Sequence, residues 1–342
     1  MSAAPTTRQW KELYEAADQY RQAAIWRWMS NGHLFGVRDP ASEEIGYCSV
    51  FGNGGEMFGL AVYMGTEGLR TIADMLAGKL DEDPMFSQHC LLLSLDDREE
   101  LDPSEYKRIK QLGLGYRGKK SWPTFRLHEP GMMPWPELTA EQVVYMTQAL
   151  DQARIVGEAY RDRPDALLDG EGERLLVREA SPAGGGAYEW RSEWLEPAPL
   201  EETEAQAASS APPLDELRII KALKGAKGIS GVWETDSFYV PMPIQEGSRP
   251  FFPKMALIVD QSSGQILKFG LSKGDEAAAA MNEHLLTLIE ELKTVPRELW
   301  VGSESAGAAL LPLAEALKLE LMFSPELPAL SEAREAMERR FS

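Results

Sequence analysis

The sequence is poor in the side chains that disulfide, metal and redox sites require. It contains only two cysteines, Cys48 and Cys90, and four histidines. Two cysteines are too few for a disulfide framework, and no two histidines have the i, i+4 spacing that places two metal ligands on one helical face. Both cysteines lie in apolar segments, so we predict that they are buried and act as small hydrophobic residues.

Long apolar runs are also missing. The longest purely apolar runs, such as residues 256–259, fall far short of the roughly 20 residues that a membrane-spanning helix needs. The first residues lack the basic start and apolar core of a secretory signal. The sequence therefore predicts a cytoplasmic protein with no membrane partner.

Positive charge is scarce as well. The chain has 35 Lys and Arg residues against 54 Asp and Glu residues, so its formal net charge is -19. Residues 1–195 hold 31 acidic and 21 basic side chains, and residues 215–342 hold 19 and 14. Because such a field repels phosphate at long range, neither half is predicted to bind polyanions over its whole surface.

The length and one biased segment predict two domains. A chain of 342 residues exceeds the roughly 100–200 residues of a typical domain. Residues 196–214 contain four glutamates, four prolines and an Ala/Ser run but no basic residue, which is typical of a linker. We predict a domain at 1–195, an acidic linker at 196–214 and a smaller domain at 215–342.

The pattern of the first domain indicates an α+β fold with β-hairpins and packed helices. Apolar residues at helical spacing follow Thr6 and Thr7, so a helix is predicted there. Residues 45–51 and 57–64 read as a hairpin around Gly-Asn-Gly-Gly-Glu, with positive φ expected at Asn53 and Gly54. The other predicted elements are helices at 66–77 and 139–160, a strand at 89–95 and a second hairpin from 174–179 and 188–195.

The pattern of the second domain indicates a smaller α/β fold. The predicted elements are a hairpin from 254–259 and 265–271, a helix at 276–293, a strand at 298–302, a helix at 306–318 and a strand at 319–323. This order resembles a reduced ribonuclease-H-like layout. Enzymes with that layout use carboxylates because Mg2+ prefers hard oxygen ligands.

Two carboxylates of this domain are candidates for metal ligation and catalysis. Asp260 ends one predicted strand and Glu304 follows another, so both are expected at the carboxyl ends of neighbouring strands. A Mg2+-dependent nuclease would need a third carboxylate, for which Asp236 and Asp275 are available. The alternative is structural: Asp260 opens a turn, and Glu304 follows Ser303 in the first turn of a helix. Apart from Mg2+ in the nuclease alternative, no cofactor is predicted.

The strongest chemical signal is a basic run inside this acidic chain. Residues 106–126 contain seven basic residues and no acidic one, with aromatic residues among them. Aromatic rings stack on bases while neighbouring cations hold phosphates, so the run predicts a site for single-stranded nucleic acid. The alternative is that the aromatic residues belong to the core and the cations neutralise acidic residues at 96–102. The candidate binding residues are Lys107, Arg108, Lys110, Tyr116, Arg117, Lys119, Lys120, Trp122 and Arg126.

Several longer motifs resemble an uncharacterised bacterial family. They are residues 44–69, residues 116–126 with Pro130-Gly131 and Pro134-Trp135, and, in the second half, residues 253–260, Gly264 and 327–330. The family resembled consists of two domains of unknown function and occurs mostly in spore-forming Gram-positive lineages. The resemblance implies a two-domain architecture and no particular activity.

Taken together, the sequence favours a non-enzymatic binding or regulatory protein. The expected partner is single-stranded nucleic acid or another protein. One alternative is a metal-dependent nuclease that uses Asp260 and Glu304. Another is a protein–protein interaction module that would use apolar surface around Trp26, Trp28 and Trp135.

Overall fold

The chain divides into two compact units. A computed structural model describes residues 3–80, 83–169, 174–185, 187–197 and 214–341. The N-terminal unit lies within residues 1–80, 87–130 and 134–200, and the C-terminal unit lies within residues 81–86, 131–133 and 201–342. Two short segments from the first half of the chain therefore belong to the C-terminal unit. Residues 198–213 of the predicted linker lie outside the described residues.

The N-terminal unit is built on a mixed β-sheet. Its described strands are β1 Phe35–Arg38, β2 Ile45–Phe51, β3 Gly59–Met64, β4 Cys90–Asp96, β5 Trp122–His128, β6 Leu175–Gly184 and β7 Ala187–Leu195. They lie in the order β5-β4-β3-β2-β1-β6-β7. Only the β1–β6 pair among these strands is parallel. The two strands of each hairpin are thus neighbours in the sheet, as is usual for strands that are joined by a short connection.

Helices cover both faces of this sheet. The helices described in this part of the chain are α1 Thr7–Ala23, α2 Gly65–Ala77, α3 Pro84–Ser87, α4 Pro103–Gln111, α5 Ala140–Ala159 and α6 Ala166–Asp169; of these, α3 belongs to the C-terminal unit through residues 84–86. α1 and α5 each begin with a threonine capping box, at Thr6 and Thr139, which satisfies free backbone N–H groups. Both pack on one face of the sheet, and α2 packs on the other through Leu69 and Ile72. The predicted α+β architecture is confirmed.

The hairpin of β2 and β3 is also confirmed, but its backbone differs from the prediction. Positive φ occurs at Gly52 (+137°) and Gly55 (+79°) and not at Asn53 or Gly54. The Gly55 N–H donates to the Gly52 carbonyl at 3.0 Å, so Asn53 and Gly54 are the central residues of a β-turn without left-handed backbone. The flanking glycines, rather than the central pair, supply the unusual conformations.

The basic run does not form one continuous element. Its first part belongs to α4, its last part belongs to β5, and a turn at residues 117–121 joins them. Neither α4 nor β5 was predicted from the sequence. β5 is an edge strand that pairs with β4. Because side chains alternate between the two faces of a strand, one face of β5 points into the core, where Phe125 is 1% exposed.

The C-terminal unit is a smaller α/β fold, as predicted. Its described strands are β8 Gly228–Tyr239, β9 Lys254–Asp260, β10 Ile266–Ser272, β11 Thr294–Val301 and β12 Glu320–Phe323, in the order β10-β9-β8-β11-β12. β9 is antiparallel to β8 and to β10, whereas β11 is parallel to β8 and to β12. The central strand β8 was not predicted.

Helices cover both faces of this second sheet. The described helices are α7 Glu216–Gly225, α8 Ala277–Leu292, α9 Glu304–Leu317 and α10 Pro328–Phe341. α7, α8 and α9 form one core with Trp233 of β8. α10 forms a second core on the opposite face with Leu257 and Val259 of β9. The sheet is therefore sandwiched between helices, which buries both of its faces.

Both cysteines are completely buried and form no disulfide, which confirms the prediction for them. Burial in apolar surroundings raises the pKa of the Cys48 and Cys90 thiols. Within the described part of the chain, no helix is both long and apolar enough to cross a membrane.

Candidate nucleic-acid interface

A cleft of about 530 Å3 opens in the N-terminal unit, within the range of about 300–1,000 Å3 that is usual for small-molecule sites. The end of α1, the turn between β2 and β3, the end of β4 and the turn before β5 meet there. The lining residues are Arg21, Trp26, Arg27, Gly52, Asn53, Phe58, Leu95, Lys119, Lys120 and Ser121. Four of them are basic and none is acidic, so the cleft is positive within an acidic chain.

The aromatic wall of the cleft is held rigidly. The half-buried Trp26 ring lies 5.5 Å from the Tyr20 ring and 5.4 Å from the Phe58 ring, measured between centroids. A Cβ atom on Gly52 would lie 2.6 Å from Trp26 Cγ and 2.7 Å from Phe58 Cδ1, so only glycine allows this contact. A fixed and partly exposed indole is a suitable surface on which a planar ring can stack.

The four cations of the cleft differ in their partners. Arg21 forms an ion pair with Asp18 at 3.2 Å, and Lys120 forms one with Glu100 at 3.3 Å. Arg27 and Lys119 are exposed, and neither forms an ion pair with a residue that the structure describes. Two positive charges are therefore available to a ligand without displacing any carboxylate.

The turn at residues 117–121 holds its lysines in a fixed position. Lys120 has φ of +49°, a left-handed conformation that costs a non-glycine residue about 1–2 kcal/mol. Its backbone N–H donates to Asp97 Oδ1 at 2.6 Å, and the Ser121 N–H donates to the Asp96 carbonyl at 3.1 Å. These bonds to the segment after β4 stabilise the strained residue and place Lys119 and Lys120 at the cleft.

Two families of domains match the chain. Residues 10–178 match the family described as Domain of unknown function (DUF7309), and residues 219–338 match Domain of unknown function (DUF6930). The chain belongs to a two-domain family. All ten residues that line the cleft lie inside the DUF7309 domain, and all five strands of the second sheet lie inside the DUF6930 domain. No curated protein and no solved structure matches the chain.

Three of the predicted binding residues of the DUF7309 domain have structural contacts instead. The Arg108 guanidinium lies 3.8 Å from the Trp10 ring centroid and pairs with Glu137 at 3.2 Å. Tyr116 is 9% exposed and belongs to the main core. Arg126 pairs with Glu105 at 3.1 Å. For these residues the alternative interpretation, core packing and charge neutralisation, describes the contacts better.

Three of the six remaining predicted residues lie at or beside the cleft. Lys119 and Lys120 line it, and Trp122 directly follows the lining residue Ser121. Lys110 lies on α4 with its ammonium 5.4 Å from the Tyr106 ring centroid. Two further candidates, Lys107 and Arg117, are exposed and form no ion pair with any described residue. The structure thus brings part of the basic run to one place and leaves the rest as scaffold or surface.

The sequence prediction missed the other half of the cleft. Arg21, Trp26 and Arg27 come from residues about 90 positions before the basic run. α1 ends at Ala23, and Ala24 takes a left-handed conformation with φ of +48°, which turns the following residues towards the sheet. A signal was present, because an arginine between two tryptophans at 26–28 is the same basic and aromatic combination that marked residues 106–126.

Asp260 and Glu304 do not lie at the carboxyl ends of neighbouring strands, because β8 lies between β9 and β11. β9 runs antiparallel to β8, so Asp260 at its end lies opposite Trp233. β11 runs parallel to β8, with Val301 opposite Thr235, and Glu304 lies three residues further in that direction. The carboxyl ends of β9 and β11 therefore point in opposite directions. β8 lies between β9 and β11 and pairs with both, and the sequence did not predict this strand.

Asp260 and Glu304 each have the structural role that the sequence offered as the alternative to metal ligation. Asp260 Oδ1 accepts hydrogen bonds from the hydroxyls of Ser262 and Ser263, which lower the pKa of Asp260 below its ordinary value. Glu304 begins α9, and the Ser303 hydroxyl caps that helix by accepting from the Ala306 N–H. A negative charge in the first helical turn is favourable because of the helix dipole.

The other two carboxylates considered from the sequence do not complete a metal site. Asp236 accepts a hydrogen bond from the Ser303 hydroxyl at 2.7 Å, and Asp275 lies in a 3-10 turn at residues 274–276. Across the described ranges, no group of three His, Cys, Asp or Glu side chains is arranged to hold a metal ion. The geometry gives no support to a carboxylate metal centre there.

The three tryptophans proposed for a protein interface are all half-buried, and none of them is among the exposed large apolar side chains of the described residues. Trp26 lines the cleft. Trp28 donates its indole N–H to the Gly157 carbonyl at 2.8 Å, and Arg161 covers its ring at 4.5 Å. These contacts give Trp28 a structural role.

Proposed function

We propose that this protein is a non-enzymatic binding protein and that the cleft of its N-terminal unit binds single-stranded nucleic acid. One observation carries the proposal: the unpaired cations of Arg27 and Lys119 and the half-buried ring of Trp26 line the same cleft. Sites for single strands combine an aromatic surface that stacks a base with cations that hold the backbone phosphates.

The overall charge of the chain sets the expected strength of this interaction. A net charge of -19 repels phosphate at long range, so binding depends on short-range contacts in the cleft and weakens steeply with salt. For single strands the logarithm of the binding constant falls by about 0.7 per phosphate contact for each tenfold rise in salt. With two to four cations engaged, a slope of about -1.5 to -3 is expected.

Charge reversal at the unpaired cations is the first test. Lys119→Glu and Arg27→Glu are each expected to weaken binding of a labelled single strand of about ten nucleotides by about tenfold or more. The reason is that each change removes one phosphate contact and adds a repulsive charge. Fluorescence anisotropy titrations with single-stranded RNA and DNA at low and moderate salt measure the effect.

Lys224→Glu is the matched control for this test. Lys224 is exposed in the C-terminal unit and forms no ion pair with a described residue, so the change alters net charge equally without touching the cleft. A loss of less than about twofold is expected, because Lys224 does not line the cleft and the change alters only the net charge. An equal loss in Lys224→Glu, or full binding by Lys119→Glu, would contradict the proposal.

Glu100 is expected to compete with the ligand for Lys120. Their ion pair is solvent-exposed, with side-chain exposures of 35% for Lys120 and 51% for Glu100, and such pairs contribute only about 0–1 kcal/mol. Glu100→Gln removes the competing charge and keeps an acceptor for the Asp97 N–H, so it should tighten binding about two- to fivefold.

The control for this prediction is the neighbouring residue Glu99. Glu99→Gln makes the same change of charge one position away, at an exposed side chain that pairs with no cation among the described residues. The same anisotropy titration should show a smaller gain for it than for Glu100→Gln. Equal gains in the two variants would mean that general charge, and not competition for Lys120, controls the affinity.

We also propose that the C-terminal unit has a ribonuclease-H-like layout. Numbered from β8, its strands lie in the order 3-2-1-4-5 with the second strand antiparallel, which supports this assignment. Fold alone does not imply function. The opposite directions of the strands that lead to Asp260 and Glu304 give no support to the nuclease alternative, so neither catalysis nor Mg2+ is part of the proposal.

A further inference from the structure

A stacked cation and ring lie beside the cleft and outside its lining. The Arg98 guanidinium carbon is 3.5 Å from the centroid of the Tyr106 ring and 5.6 Å from the centroid of the Trp122 ring. Arg98 is half-buried, and it forms no ion pair with a described residue although Asp97 and Glu99 flank it in the sequence. Its charge is thus held over an aromatic ring and is not neutralised by a carboxylate.

Short contacts connect this pair to the cleft. Asp97, which precedes Arg98, accepts the backbone N–H of the cleft residue Lys120 at 2.6 Å. On the other side, Trp122 directly follows Ser121 of the cleft, and its ring lies 6.1 Å from the Tyr106 ring. The Arg98–Tyr106 pair is therefore connected to the cleft through Asp97 on one side and through Trp122 on the other.

We propose that Arg98 and Tyr106 form a second base-stacking platform. The cleft and the platform together would hold at least two successive nucleotides of one strand, with the intervening phosphate near Lys119 and Lys120. This inference rests on the proposed function and specifies the class of ligand. Bases stack on guanidinium planes as well as on aromatic rings, and the Tyr106 ring fixes the orientation of Arg98 before a ligand arrives.

The two platforms exclude duplexes and disfavour single nucleotides. In a duplex the faces of the bases are already stacked on one another, so neither Trp26 nor Arg98 can reach them. A mononucleotide occupies the cleft and leaves the platform empty. The ligand is therefore a single strand of two or more nucleotides with unstacked bases.

A series of ligand lengths tests the inference. Anisotropy competition with a mononucleotide, a dinucleotide, a tetranucleotide and a duplex is measured on the full chain. For the native protein, affinity is expected to rise about tenfold or more from one nucleotide to four, because each stacked base contributes about 1–3 kcal/mol. The duplex is expected to compete poorly at the same nucleotide concentration.

Variants of the platform should remove the rise in affinity with ligand length and leave the affinity for a mononucleotide unchanged. Arg98→Gln and Tyr106→Ala are expected to weaken tetranucleotide binding about fivefold or more and to leave mononucleotide binding unchanged. Tyr106→Phe keeps the ring and is expected to restore most of the tetranucleotide affinity that Tyr106→Ala loses, which separates loss of the platform from misfolding. Tyr188→Ala, at a tyrosine that is 40% exposed on β7, is the matched control and should change neither affinity.

The outcomes distinguish this inference from the proposed function. If Lys119→Glu weakens tetranucleotide binding while Arg98→Gln and Tyr106→Ala do not, the second platform is wrong and the cleft remains the binding site. If none of these variants changes the affinity, the proposed function is wrong as well. A duplex or an acidic peptide that competes as well as the tetranucleotide would overturn base stacking as the mode of recognition.

Discussion

Replacing Arg126 with methionine is expected to lower the free energy of unfolding of the N-terminal unit by about 3 kcal/mol or more. The Arg126 guanidinium lies 3.1 Å from Glu105 Oε2, and the Glu105 side chain is completely buried. Without Arg126 the buried carboxyl keeps the Asp102 N–H at 2.8 Å but loses its cation. Denaturant unfolding followed by tryptophan fluorescence measures the loss.

The pH dependence of this loss identifies its cause. Burial raises the pKa of Glu105, and Arg126 opposes that effect. Removing Arg126 raises the folded pKa further above the unfolded value, and a group with a raised folded pKa loses its stabilising contribution as the pH increases. The destabilisation of Arg126→Met should therefore be larger above about pH 7 than near about pH 5, where the carboxyl binds a proton more readily.

Two further variants complete the test. Combining Arg126→Met with Glu105→Gln should restore most of the stability, because no buried charge is then left without a partner. Lys107→Met removes an exposed cation from α4, the helix that carries Glu105, and should cost less than about 0.5 kcal/mol. If Arg126→Met were fully stable but failed to bind nucleic acid, Arg126 would belong to the binding surface, as the sequence had predicted.

Local sequence signals predicted the elements whose ends are fixed by local chemistry. α1 and α5 follow threonine caps, and the glycine-rich turn joins β2 to β3, so their existence was visible in short windows of sequence. β8 was not visible in the same way. Its residues Gly228–Tyr239 include two glycines and the polar sequence Glu-Thr-Asp, a composition that is unfavourable for a strand. Only pairing with β9 and β11 on both sides makes it the central strand.

The candidate site was predicted in part for a similar reason. The charge contrast identified Lys119 and Lys120 because it is a property of neighbouring residues. Arg27 and Trp26 approach them only through the packing of α1 on the sheet, which no local pattern encodes. The sequence also did not show that Arg126 pairs with a buried carboxylate, since the burial of Glu105 is a tertiary property.

A second large effect is expected in the C-terminal unit at Glu234. This residue of the central strand β8 is completely buried, and its Oε2 atom accepts the backbone N–H of Leu330 at 2.8 Å. Leu330 lies in the first turn of α10, which begins with Pro328, and first-turn N–H groups have no partner within their own helix. The carboxyl of Glu234 thus fixes the start of α10 on the sheet.

Glu234→Ala is expected to destabilise the C-terminal unit by about 3 kcal/mol. The change leaves the buried Leu330 N–H without an acceptor, which costs about 1–3 kcal/mol, and creates a cavity beneath α10. Denaturant unfolding of the full chain measures the total effect. Hydrogen exchange localises it, because amides at residues 329–337 should lose protection before those of β8 and β11 do.

Two substitutions separate the capping bond from other causes. Glu234→Gln keeps an oxygen acceptor for the Leu330 N–H and nearly the same volume, so it should cost about 1 kcal/mol. Glu332→Ala removes an exposed carboxyl from the same helix and should change stability by no more than about 0.5 kcal/mol. If Glu234→Gln were as destabilising as Glu234→Ala, the negative charge and not the capping bond would hold α10. If Glu234→Ala were no worse than Glu332→Ala, α10 would be held by its apolar contacts with Leu257 and Val259 alone.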